Sequence, residues 1–388
     1  MPPPAGSAGV RPDCHRARLD HPQATGAGTM AMTPAKRRQR LPEPLPPALA
    51  MEASLVVLLT EAEAALAELS VLAERTPDTR MLVPACLALE AMYSCRLAGV
   101  DARVCDLFLA QIGGVGMHEP RAAQAMALWR TAAALQRGRV RLRDGPFDLA
   151  LLDHTRRWLE TGVDEGDDEE GARGVLPVPE PLPPALRIAL EAWEHFAADE
   201  RVWMPPLVRA ALLHAQFEAL HPFAASHGPL SRALVPLYLI SRRQLSTPLW
   251  FLSAYWHAHR TRYRARLRTA LVDGIWEPWL EFFLLGVRAA ARSALIHAGD
   301  LLRLRESLHR EARGIPNAPA LVDSLLVNPY TTLARASQAI DRSPPTASVL
   351  IRALVRKGWL REVTGRARGR IYLMPRILSA IERLPPMA

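Results

Sequence analysis

The chain has 388 residues, 49% of them hydrophobic and 22% charged, and carries a formal net charge of +9. That profile predicts a soluble globular protein of two or three domains. Of the 48 basic residues only Lys36 and Lys357 are lysines, and neither sits in the Gly-Lys-Ser/Thr context of a phosphate-binding loop. Apolar runs such as 233–240 fall far short of the ~18 residues of a membrane span, so no membrane partner is expected. Cys14, Cys86, Cys95 and Cys105 lack the spacing of a disulfide framework or zinc site. HExxH, GxSxG and a complete GxGxxG are also missing, which predicts a reduced, cytoplasmic chain without a metal centre.

Residues 1–40 are rich in proline, hold the basic cluster Lys36-Arg37-Arg38-Gln39-Arg40 and show little apolar periodicity, so a disordered extension is expected there. From 41 to 308 the sequence reads as successive helices. Leu55, Leu58, Leu59, Ala62, Ala65, Leu66 and Leu69 form one apolar stripe at helical spacing. Alanine- and leucine-rich segments at 82–97 and 121–135 repeat the pattern, giving N-terminal helices over 50–135. An acidic, proline-rich stretch at 162–184 reads as a solvated loop. A second group of helices follows over 185–300: 205–220, 230–240, then aromatic-rich helices around 250–271 and 276–292 whose Trp and Phe residues are assigned to the core.

The segment 321–384 changes character. Helix 333–340, the turn Asp341-Arg342-Ser343-Pro344-Pro345, helix 346–357 and a hairpin with a basic tip form the layout of a winged helix-turn-helix. The fold class is therefore mostly α, with a small α+β module at the C-terminus. Ser348, Arg352 and Arg356 share one helical face, and Arg366, Arg368 and Arg370 form the wing, which makes DNA the expected partner; a protein-contact winged helix is the alternative. Charge supports the former. Residues 331–388 contain 11 basic and 3 acidic side chains, whereas 51–330 contain 30 and 33.

The chemically informative stretch is 207–232, LVRAALLHAQFEALHPFAASHGPLSR. His221 follows a helix and Gly228-Pro229 opens the next, which sets an imidazole beside a helix N-terminus, where anions are favoured. A neutral imidazole there suits a general base, and Arg232 lies one turn on, within reach of a phosphate; a loop histidine can equally be structural. His221-Pro222-Phe223 and Gly228 to Arg232 resemble the Fic family signature H-P-F-x-(D/E)-G-N-G-R-x-x-R. The stretch 213–218 (LHAQFE), the later segments 248–253 and 276–284, and 90–99 (EAMYSCRLAG) resemble the family as well, so the likeness runs from about 41 to 381.

The resemblance implies a Fic-type helical bundle that transfers AMP from ATP to a Ser, Thr or Tyr hydroxyl of a target protein, and family members often dimerise. His221 would be the base, while Ser226, His227, Gly228 and Arg232 would line the nucleotide. Ala225, however, stands where the family has its Mg²⁺-binding acid, Ser226 at the first glycine, His227 at the asparagine and Pro229 at the first arginine. Ala225 offers the metal no oxygen, which argues against Mg²⁺. Pro229 has neither an N–H nor a guanidinium to offer. Ser94, Ala98 and Gly99 fall on the family's inhibitory segment, with Ala98 in place of its glutamate. Two readings stay open: an adenylyltransferase-like protein of weak, altered or lost activity, or a DNA-binding transcriptional regulator whose Fic domain is inert or senses a ligand.

Overall fold

The computed structural model describes residues 42–75, 81–113, 121–162, 182–223, 226–385 and 387. The expected N-terminal extension 1–40, most of the acidic loop and Ala225 lie outside the described residues.

Helices α1 (Ala53–Arg75), α2 (Val83–Leu97), α3 (Val104–Ala110), α4 (Ala122–Arg141) and α5 (Leu149–Glu160) make the first group. The predicted stripe of α1 is buried at Leu55, Leu59, Ala62, Ala65, Leu66 and Leu69, and it packs along the later helix α11. In α2, ten consecutive-turn residues from Ala85 to Cys95 are buried, because other helices cover it on several sides. Asp148 starts α5 by accepting a 2.8 Å hydrogen bond from Leu151 N–H, which satisfies one of the free amides of the first turn.

The second group comprises α6 (Pro184–Ala198), α7 (Pro206–Leu220), α8 (His227–Ser241), α9 (Leu252–Ala258), α10 (Arg260–Asp273) and α11 (Glu277–Glu311). Proline opens α6 and α7, where the missing N–H costs nothing. Three details differ from expectation. α8 begins at His227, so Gly228 and Pro229 lie inside its first turn. The aromatic segment near 250–271 is broken at His259, which separates α9 from α10. α11 runs on to Glu311 with apolar residues still recurring at Leu301 and Leu308. The Trp and Phe residues are core, as expected: Trp250, Trp256, Trp279, Phe251, Phe282 and Phe283 are all under 3% exposed.

After α12 (Ala318–Val327) come β1 (Tyr330–Thr332), α13 (Leu333–Ala339), α14 (Pro344–Arg356), β2 (Arg361–Glu362), β3 (Ile371–Leu373) and α15 (Pro375–Glu382). The antiparallel sheet has the order β1-β3-β2, with Tyr330 opposite Leu373 and Glu362 opposite Tyr372. This is a winged-helix-like extension. It is fastened to the helical body: Asn328 donates to Phe108 O at 3.0 Å, and Arg376 grips Glu311 at 2.6 and 2.9 Å. Among the described residues, no helix is long and apolar enough to cross a membrane.

Candidate functional site

His221 ends α7 in the left-handed conformation (φ 43°), its N–H donating to Phe217 O at 3.2 Å. A non-glycine residue there is uncommon, and the turn throws the exposed imidazole out toward α8. Its ring lies 3.9 Å, centroid to centroid, from that of His227, the first residue of α8. Burial and the nearby His227 push the His221 pKa down, against a smaller upward pull from Glu218. At pH 7 His221 is therefore a neutral imidazole, the protonation state a base needs.

The rest of the motif faces inward. His227 is buried, stacked at 5.3 Å on Phe217, and neither ring nitrogen has a hydrogen-bond partner. Its Nε2 is 3.7 Å from Glu218 Oε2, an ion pair only when the ring is protonated. Ser226 is buried and donates through Oγ to Glu160 Oε1 at 2.7 Å. Glu160 in turn takes Arg156, whose guanidinium sits 5.1 Å above the Phe223 ring. Thus α5 clasps the motif loop at two points.

Arg232 is only 5% exposed. It donates from Nε to Ser94 Oγ and from Nη2 to Ser94 O, both at 2.8 Å. Gly228 permits this path, since a Cβ there would stand 3.1–3.2 Å from the guanidinium. The structure therefore joins two sequence-predicted sets, Arg232 of the motif and Ser94 of the inhibitory segment. Ala98 caps α2, exposed, and Gly99 follows at φ 86°. Behind the site, buried His214 meets Tyr263 Oη at 2.9 Å and stacks on Trp256, and burial pushes its pKa down to about 4.

These residues do not fit a magnesium nucleotide as they stand. The Glu160 carboxylate occupies the Ser226 hydroxyl that would face phosphate, Arg232 is committed to Ser94, and Pro229 removes an amide from the helix start. Sequence reading missed Glu160, Arg156 and Glu218; the first two lie over sixty residues away and carry no motif.

On the C-terminal module the expected contact residues share one exposed surface. Arg352 and Arg356 are exposed on α14 and Ser348 is half-buried beside them, with Val349, 58% exposed and not anticipated, on the same side. Arg366, Arg368 and Arg370 are exposed on the wing, whose turn is held by the Glu362 carboxylate accepting from Thr364 and Gly365 amides. Among the described residues, Arg352, Arg356, Arg366 and Arg368 have no carboxylate partner.

Residues 56–138 match the Fic/DOC family N-terminal region. Over that segment the chain is homologous to Fic/DOC proteins. A Fic family protein from Desulfovibrio desulfuricans G20 has the same fold, with a TM-score of 0.51 at 19% identity over 85% of this chain and 98% of that one. Fic-1 (residues 134–508, E274G) from C. elegans also aligns, at 16% identity over 63% of this chain and 72% of that one, with a TM-score of 0.45. The superfamily generally mediates nucleotide transfer.

Proposed function

We propose that this Fic-homologous chain is a DNA-binding regulator whose helical body has lost ordinary adenylyl transfer. The observation that carries the reading is the surface of α14 and the wing, where exposed guanidiniums are left without carboxylates while a fold of ordinary surface charge supports them. Arg352 and Arg356 lie one turn apart, suited to base edges and phosphates in a major groove; the wing arginines suit the adjacent backbone. The loss of transfer rests on the engaged Arg232 and Ser226 and on Ala225 in the acid position.

Binding of the full chain to fragments of its own upstream DNA tests the first half. Affinity should fall steeply with salt, and Arg352→Gln should cost about tenfold, in line with ~1–3 kcal/mol per base contact. No binding to any fragment at low salt overturns it. For the second half, incubation with labelled ATP and lysate should give no more label than His221→Ala does. Label that depends on His221 would restore the transferase reading, with protein as its partner and ATP as its cofactor.

A further inference from the structure

The overall acidic balance of the helical body hides a local reversal on α10. Within nine residues this helix carries Arg260, Arg262, Arg264, Arg266 and Arg268, and its only acid is Asp273 at the far end. Arg260, Arg262, Arg264 and Arg268 are exposed and Arg266 is half-buried. Among the described residues none of the five takes part in an ion pair or a side-chain hydrogen bond. Glu281, the carboxylate that shares the surroundings of Tyr255 with Arg262, forms no bridge to it.

This arrangement runs against helix stability. Arg260–Arg264, Arg264–Arg268 and Arg262–Arg266 are like-charge i,i+4 pairs, each destabilising, and cations in the first turn oppose the helix dipole. The helix is nevertheless held firmly by its other face. Tyr263, Leu267 and Ala270 are buried, with Tyr263 bonded to His214 and packed against Trp279 and Phe282 of α11. Between arginines the exposed face offers Thr261 and Ala265, with no bulky apolar residue of the kind a membrane-surface helix inserts. Val272 and Ile275 are exposed, but beyond the arginine run.

We infer that the arginine face of α10 binds the phosphate backbone of duplex DNA as a second, sequence-independent contact. A rigid row of unpaired guanidiniums without a shaped pocket matches a repeating charge that carries no base information. The face is separate from the winged helix. α10 packs near Phe282, whereas the C-terminal extension meets α11 between Ser293 and Glu311, about 16–43 Å further along its axis. The inference takes only the identity of its partner from the regulator reading.

The test compares four full-length proteins on random-sequence duplex DNA across a salt series: wild type, a wing-neutral variant (R352Q, R356Q, R366Q, R368Q, R370Q), an α10 variant (R260Q, R264Q, R268Q) and the combination. The wing-neutral protein should still bind at low salt. Adding the α10 substitutions should abolish that binding, and in the wild-type background they should lower the salt slope by up to about 2.7 for three contacts. The α10 inference is overturned if the wing-neutral protein binds no DNA, or if the α10 variant keeps the wild-type slope. Failure of the regulator reading is distinct: there the wing-neutral protein would bind its upstream fragments as well as wild type does. Circular dichroism confirms that the variants fold, and loss of binding to anionic vesicles without loss of DNA binding also rejects the inference.

Discussion

Arg232 and Arg352 are the same side chain in opposite circumstances. Arg232, in the motif that gives the chain its family resemblance, is buried with its Nε and Nη2 spent on Ser94. Arg352, in the appended winged helix, is exposed and has no protein partner among the described residues. Around Arg232 the same economy holds: Ser226 is tied to Glu160, His227 is sealed under His221, and Arg156 covers Phe223. A guanidinium already satisfied by its own protein must break good hydrogen bonds before it can hold a ligand, whereas a solvated one gives up only water and counterions. Position in a motif therefore says less about availability than the partners a side chain already has.

The comparison breaks most visibly if Arg232 is removed. Arg232→Ala takes the guanidinium from the Ser94 hydroxyl, leaves Ser94 O with only the Ala98 N–H at 3.2 Å, and opens a cavity between α2 and α8. The expected loss is about 2–4 kcal/mol of unfolding free energy, read from urea denaturation. Arg352→Ala, at an exposed position, should stay within about 0.5 kcal/mol of wild type. If both substitutions cost the same, Arg232 is not the structural side chain its hydrogen bonds make it.

Much of this was legible in the sequence, because the relevant signals are local. The α1 stripe, the aromatic core of α9 to α11 and the winged-helix order all follow from periodicity and turn residues. The motif also located His221, and the left-handed residue between α7 and α8 places it as a loop histidine. Glu160 was not legible. It reaches Ser226 across 66 positions, and an acid near the end of an amphipathic helix reads as surface charge until its partner is seen. The Ser94–Arg232 bond spans 138 positions; both residues were singled out, but for separate reasons, and only the packing of α2 on α8 joins them. Gly228-Pro229 does open α8, but the helix starts at His227, three residues before the apolar periodicity begins at 230.

A smaller effect separates the two regions by pH. His214 is fully enclosed between Trp256, Tyr263 and Trp279, and burial lowers its pKa from 6.5 to about 4. In the unfolded chain the ring takes up a proton near pH 6.5; in the folded one it resists until about pH 4. Between those values the unfolded state binds more protons, so its share rises as pH falls. The contribution is complete above pH 6.5 and lost on the way down to pH 4, at most about 3 kcal/mol. Urea midpoints of the wild type measured from pH 7 to 4 should therefore fall more steeply than those of His214→Asn, which has no proton to gain. Parallel lines for the two proteins would mean that His214 titrates as an exposed ring does, and that the space behind the motif admits water. The inward-facing motif would then be less closed than the outward-facing wing is open, and nucleotide entry past Arg232 would again be a physical option.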